Sequence, residues 1–237
     1  MFQNNKTNFT VSVIFKSLII LLCITGIIAT ALGDNFMSEK IILYFTNQSN
    51  ICIAFISLIF LVLQIIKVKK PDLKIPNFLY IIKYICTVAI TLTFLVFSVI
   101  LIPYVIIKGQ ANYLIQLENI CLHNLVPILA ILDFCLFDHD FKTSKPTFVF
   151  GIILPLFYLV LSLILSLFKV DFGDGQVAPY YFLDYQANGW FSLGNGKFGV
   201  FYWIIIITLL VLGIGLLLLW LQKLAKNHKI KKQEQKN

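Results

Sequence analysis

Residues 51–66 read ICIAFISLIFLVLQII, with only Ser57 and Gln64 polar, and the preceding stretch 44–50 reads YFTNQSN. No charged residue falls between Lys40 and Lys67. An α-helix rising 1.5 Å per residue needs about 20 apolar residues to cross a hydrocarbon core of about 30 Å. A barrel strand would instead alternate polar and apolar positions over a short segment, which this stretch does not do. It therefore reads as a membrane helix, the apolar part of a segment running from about Glu39 to Ile66.

Working outward, five more segments have the same character: about Val11–Leu32, Asn77–Ile107, Tyr113–Phe137, Thr147–Lys169 and Phe198–Leu221. Punctuation supports these divisions. Pro71 and Pro76 break the second connection, Lys145-Pro146 opens the fifth helix, and Gly194-Asn195-Gly196 closes a long loop before the sixth. The whole chain, 237 residues, is 59% hydrophobic and 13% charged, against about a quarter charged in soluble proteins. A soluble globular domain is excluded. The expected fold is all-α, a polytopic bundle of six transmembrane helices forming one domain over 1–222, with a basic tail at 223–237.

The net charge of +8 comes from 19 basic residues, every one a Lys. A nucleic-acid binder with no Arg would lack the commonest base contact and the bidentate phosphate fork, so nucleic acid is not an expected partner. The Lys distribution sets topology instead. With both termini cytoplasmic, the inner face collects Lys6, Lys16, Lys67, Lys69, Lys70, Lys74, Lys83, Lys142, Lys145 and the six Lys of the tail, leaving Lys40, Lys108, Lys169 and Lys197 outside. Lys16 and Lys83 are expected to snorkel to the inner headgroups. The expected location is the cell membrane, multi-pass, and Lys-, Asn- and Ile-rich composition without Arg suggests an AT-rich bacterial genome. A cleaved leader ending at Ala29-Thr30-Ala31 is the rival reading of the first segment.

Polar groups at membrane depth are costly and mark packing or chemistry. Helical phase aligns Thr46, Ser49, Asn50, Ser57 and Gln64 on one face of the second segment. In the fourth, ENICLHNLVP (118–127) carries His123 one turn after Asn119, and Pro127 cannot bond the carbonyl of His123 four residues back. Counting from Glu39 and Tyr113 places Thr46 about 10 Å and His123 about 15 Å along their helices. Matching depth makes them a candidate nucleophile and base; the competing reading is a polar packing node between helices.

Asp133 is an acid in an apolar run and is expected to pair with Lys83 or a loop Lys. Asp138-His139-Asp140 reads as a solvated helix exit rather than a metal patch, and Gly213 and Gly215 as small packing residues. The five Cys lie in apolar runs without paired spacing and read as small buried hydrophobes; no metal is expected. Asn8-Phe9-Thr10 and Asn47-Gln48-Ser49 match the glycosylation sequon. The loop 171–197 carries Tyr180, Tyr181, Phe182 and Asp184, an interface belt or a lid over an outward pocket.

Tyr44-Phe45-Thr46, the stretch from His123 through Pro127 to Leu132-Asp133, and the aromatic Pro179–Asp184 patch together resemble the androgen-induced-gene family of membrane threonine hydrolases and its bacterial six-transmembrane relatives. The resemblance covers most of the chain in helix count and order. It implies Thr46 as nucleophile and His123 as base of an intramembrane lipid-ester hydrolase, without a cofactor, acting on an acyl ester drawn from the outer leaflet of membrane lipid. Ser49, Asn50 and Asn119 are the candidates for binding or oxyanion support. Two departures stand out. Asn119 lies where the animal proteins carry a second His, and the residues after Thr46 are more polar than theirs. The alternatives are a six-span substrate-binding subunit or small transporter, and a structural membrane protein.

Overall fold

The computed structural model describes residues 2–33, 41–109, 111–172, 175–194 and 196–235. Among the described residues, six helices are long and apolar enough to cross a membrane: α1 (Phe2–Gly33), α2 (Phe45–Lys69), α3 (Asn77–Ile107), α4 (Leu117–Phe137), α5 (Lys145–Leu167) and α6 (Val200–Glu234). The protein is an all-α, multi-pass membrane protein. The only strands among the described residues are β1 (Leu193–Gly194) and β2 (Lys197–Phe198), a two-rung hairpin in the loop before α6.

Two helices are central. In the most apolar window of α3, 50% of residues are buried, and in that of α4, 44%, whereas α5 reaches only 17%. α1 and α2 pack against each other, α2 against α3, α1 along α4, and α6 against α3, α4 and the start of α5. The outward faces of the peripheral helices remain Leu, Ile and Phe, as at Leu21, Phe55, Phe157 and Leu209. Burial inside the protein cannot account for those side chains, and lipid is the solvent that suits them.

The boundaries depart from the expected ones where polar residues intervene. α2 begins at Phe45, so Thr46 lies in its first turn instead of 10 Å along; Glu39 and Lys40 lie outside the described residues, as does Asn195. α4 begins at Leu117 after a separate 3-10 turn at Ala111–Ile115, so His123 is about 9 Å in. α6 carries its helix through most of the basic tail, to Glu234.

Neither Lys16 nor Lys83 snorkels. They are 2% and 1% exposed, and both reach Asp133, at 2.6 Å to Oδ1 and 2.6 Å to Oδ2 respectively. Lys83 also pairs with Asp138 at 2.6 Å, and Lys16 donates to Ser12 at 2.7 Å. Asp133 anchors the cluster because a buried ammonium is tolerated only when paired. Asp138 is thus not a solvated helix exit: it is 3% exposed and turned inward, while Asp140 faces outward to Lys67. Burial pushes the Asp138 carboxyl up to about 6, with Lys83 pulling the other way. The cluster knits α1, α3 and α4 together at the Lys-rich end of the bundle. His123 stands ten residues earlier on α4, about 15 Å nearer the other end.

Candidate active site

The polar run after Tyr44 caps the chain as it enters α2. Asn47 Nδ2 donates to the Ile41 carbonyl (2.8 Å), Gln48 Nε2 to Ile42 (2.8 Å) and Tyr158 Oη to Leu43 (2.9 Å). Three consecutive carbonyls are therefore held outside the helix, which explains why α2 starts late. Tyr44 Oη adds a bond to the Phe172 carbonyl at 2.6 Å, tying this entrance to the loop before α6. Asn47 is buried with its amide engaged, so the sequon there presents no accessible acceptor. Thr46 stands in the first turn, where backbone N–H groups have no intrahelical partner, and Tyr44 supplies no side-chain cap.

On α4 the sequence expectation needs one correction. Residues Ile120–Leu125 form a π turn, in which Val126 N–H bonds Cys121 five residues back. In that register the partner of the Leu122 carbonyl would be Pro127, which has no N–H. The carbonyl supplied with an outside donor is therefore that of Leu122, one residue before the position expected from α-helical counting. Asn50 Nδ2 fills the gap, donating to Leu122 at 3.1 Å and to the Thr46 carbonyl at 2.8 Å. A single buried amide locks the first turn of α2 to the turn that carries His123.

This lock brings the candidate pair together. Thr46 Oγ1 lies 3.3 Å from His123 Nε2. The imidazole stacks on Phe97 with ring centroids 4.1 Å apart and planes 19° from parallel. Phe97 itself opens a π turn in α3 (Phe97–Leu101), so two irregular turns face each other at the site. π turns are rare and recur at functional positions. His123 Nδ1 is buried with no hydrogen-bond partner among the described residues, so the ring is oriented by stacking rather than by a carboxylate.

Thr46 and His123 border a cavity of about 410 Å³ between α3, α5, α6 and the loop before α6. Its wall is mostly apolar, including Val96, Ile100, Leu156 and Ile207, and among the described residues contains no Asp, Glu or Lys. Tyr180 lines the same cavity as Thr46, and hydrogen bonding from Thr46 and from the Phe45 backbone favours the ionised form of its phenol. Burial pushes that phenol up to about 12 against those hydrogen bonds, so it stays protonated at neutral pH. Tyr180 stacks on Phe182 at 5.2 Å, and Phe182 packs on Trp203 of α6 at 5.7 Å.

The other expected site residues separate into two groups. Ser49 Oγ donates to the Thr46 carbonyl (3.0 Å) and meets Thr93 Oγ1 at 2.9 Å, so both it and Asn50 hold the backbone beneath Thr46. Asn119 is turned away: its amide donates to the Tyr113 carbonyl at 2.7 Å, fastening the start of α4 to the preceding turn. Tyr180, Tyr181 and Phe182 line the cavity, whereas Asp184 caps the short helix Tyr185–Asn188 through the Gln186 and Ala187 amides. Sequence reasoning missed Phe97, Thr93 and Tyr158. Phe97 is one of 22 Phe and nothing local marks it, while Tyr158, a phenol amid Leu and Ile, carried a polar signal that was overlooked. No known protein family, curated protein or solved structure matches the chain.

Proposed function

We propose that this protein is an intramembrane lipid-ester hydrolase with Thr46 as nucleophile and His123 as general base. The observation that carries the reading is the 3.3 Å contact between Thr46 Oγ1 and His123 Nε2 on the wall of an apolar cavity. A hydroxyl is a poor nucleophile at neutral pH unless a base within hydrogen-bonding reach takes its proton as it attacks. Here the base is half-buried, held flat by Phe97, and faces a β-branched side chain with few rotamers. A node that served helix packing alone would not require a cavity beside it.

His123 Nε2 takes the Thr46 proton as Oγ1 attacks the acyl carbonyl. Collapse of the tetrahedral intermediate returns that proton to the departing alcohol and leaves an acyl-threonine. Water, deprotonated by the same imidazole, then releases the acid and restores Thr46. A mostly apolar wall, without a charged side chain among the described residues, suits an acyl chain rather than a phosphate or a free carboxylate. With the Lys-rich end in the cytoplasm, as the positive-inside rule directs, the cavity opens in the outer half of the cell membrane.

Purified protein treated with a fluorophosphonate probe should be labelled at Thr46, and Thr46→Ala and His123→Ala should each abolish labelling. Labelling that survives Thr46→Ala would sink the reading.

A further inference from the structure

Contacts between neighbouring helices fix how far the cavity reaches below the reacting pair. His123, which meets Thr46, stacks on Phe97, so Phe97 marks the height of the pair on α3. α3 and α5 rise from the Lys-rich end and α6 descends to it. A Cβ at Gly151 of α5 would sit 3.0 Å from Val88 Cγ1. Val88 is nine residues below Phe97 on α3, which puts it and Gly151 about 13.5 Å below the pair. Farther down, a Cβ at Gly215 of α6 would clash with the Tyr84 hydroxyl and sit 3.0 Å from the Phe148 carbonyl. Tyr84 is thirteen residues below Phe97, and Phe148 is three residues of 3-10 turn below Gly151. Both routes place Gly215 about 19.5 Å below the pair.

The residues that border the cavity stop above that crossing. The lowest are Val211 on α6, about 13.5 Å below the pair, Ile152 on α5, about 11.5 Å below, and Leu92 on α3, about 7.5 Å below. Leu92 and Val211 are 5% and 1% exposed, whereas Leu156, one turn above Ile152, is 51% exposed. The wall is therefore open towards lipid at mid-height and shut at the bottom, where α3, α5 and α6 close on one another. We propose that this lower part is an acyl-chain well with Val211 and Ile152 as its floor, and that it selects esters of straight-chain acids of about eight to ten carbons. The selection rests on Thr46 being the nucleophile.

The length follows from reach. An extended chain of single bonds advances about 1.2 Å per bond, as the protein backbone does in covering about 3.6 Å with three, so a well of about 12 Å takes about ten bonds. Polarity runs the same way. Gln176, Tyr180 and Tyr181 border the cavity from the loop before α6, on the side of the alcohol, and the Tyr158 hydroxyl is bonded to the Leu43 carbonyl ahead of α2. Below the pair the bordering residues carry two hydroxyls. Thr93 Oγ1 meets Ser49 Oγ at 2.9 Å and the Ala89 carbonyl at 3.3 Å, and Thr208, inside α6, has the Ile204 carbonyl available one turn back as an acceptor. Transfer from lipid to an equally apolar wall favours no particular length. The floor decides it: a shorter chain leaves a gap that forfeits dispersion contacts, and a longer one must displace packed side chains.

Hydrolysis of p-nitrophenyl esters from butyrate to palmitate, measured in one detergent with Thr46→Ala as the inert control, should peak in kcat/KM at octanoate or decanoate and fall at least about tenfold by palmitate. Val211→Ala lowers the floor and should move the peak to an acid about two carbons longer; Val211→Phe raises it and should move the peak about two carbons shorter. Each variant is compared with the parent over the same esters, so partition into micelles cancels. Opposite shifts mark a floor, since a merely structural residue would lower all the rates together, and Val211→Ala serves if Val211→Phe folds poorly. A parent that turns over decanoate and palmitate within about threefold of each other, or a peak that stays in place in Val211→Ala, overturns the well and leaves the hydrolase reading standing. A series with no turnover, or turnover that survives Thr46→Ala, overturns both.

Discussion

Asn50 donates its side-chain amide to the carbonyl of Leu122 across 3.1 Å, joining two segments that lie 72 residues apart. The same nitrogen holds the Thr46 carbonyl, so the backbone beneath the candidate nucleophile and the backbone beside the candidate base share one donor. Replacement by Leu keeps the volume and removes both bonds. A buried carbonyl left without its donor costs about 1–3 kcal/mol. We expect Asn50→Leu to lower the thermal unfolding midpoint in detergent and to slow fluorophosphonate labelling by at least about tenfold, because a displacement of about 1 Å at a reacting pair is costly. Labelling at the parental rate would show that the bridge does not position the pair.

Pro127 determines which carbonyl that amide meets. With a backbone N–H at 127, α4 could relax from the π turn to a regular α-helix, satisfying Leu122 internally and turning His123 by roughly one residue's rotation, about 100°. Pro127→Ala should therefore lose Thr46 labelling while its unfolding midpoint holds or rises. This opposite sign distinguishes it from Asn50→Leu. Retained labelling would mean that the π turn is imposed by the packing around Phe97 and not by the proline.

These two residues show why the chain was legible to different depths. Six spans follow from the length of uninterrupted apolar runs, a local property that tertiary contacts do not alter, and the structure has those six. Thr46 and His123 were conspicuous because each is polar in such a run. The supporting contacts are another matter. Leu122 gives up its carbonyl only because the π turn shifts the register by one, and Phe97 is indistinguishable in sequence from other Phe until its stack on His123 is seen. Lys16 and Lys83 looked like snorkelling residues for a similar reason: whether a Lys near a helix end turns out to the headgroups or in to a carboxylate depends on what the neighbouring helix presents.

The two glycines of α6 share a local pattern and differ in surroundings. A Cβ at Gly215 would clash with the Tyr84 hydroxyl and sit 3.0 Å from the Phe148 carbonyl, whereas one at Gly213 would meet nothing within 4 Å. Gly215→Ala forces backbone and a buried Tyr apart, an overpacking that costs about 1–3 kcal/mol. Gly213→Ala gains helix propensity, up to about 1 kcal/mol in aqueous helices. We expect the two variants to move the unfolding midpoint in opposite directions, and equal shifts would contradict the close approach of α3 and α5 to α6 at Gly215.

At the Lys-rich end, two ammonium groups and two carboxylates lie within one buried cluster, and their charges sum to zero. Asp133 contacts both Lys16 and Lys83, so Asp133→Asn leaves Lys16 without a carboxylate and Lys83 with Asp138 alone. Breaking a buried pair by deleting one partner costs about 3–5 kcal/mol, because the surviving charge stays buried. Asp138→Asn removes only the second partner of Lys83, and burial already disfavours the charged form of that carboxyl, so its cost should be smaller. The double change Lys16→Met with Asp138→Asn deletes one charge of each sign and keeps the Lys83–Asp133 pair. It should be less destabilising than Asp133→Asn alone, despite altering two buried residues. Unfolding midpoints of the three variants, read in the same detergent, test that order. A double variant less stable than Asp133→Asn would mean that the cluster is held by its hydrogen-bond geometry more than by its charge balance.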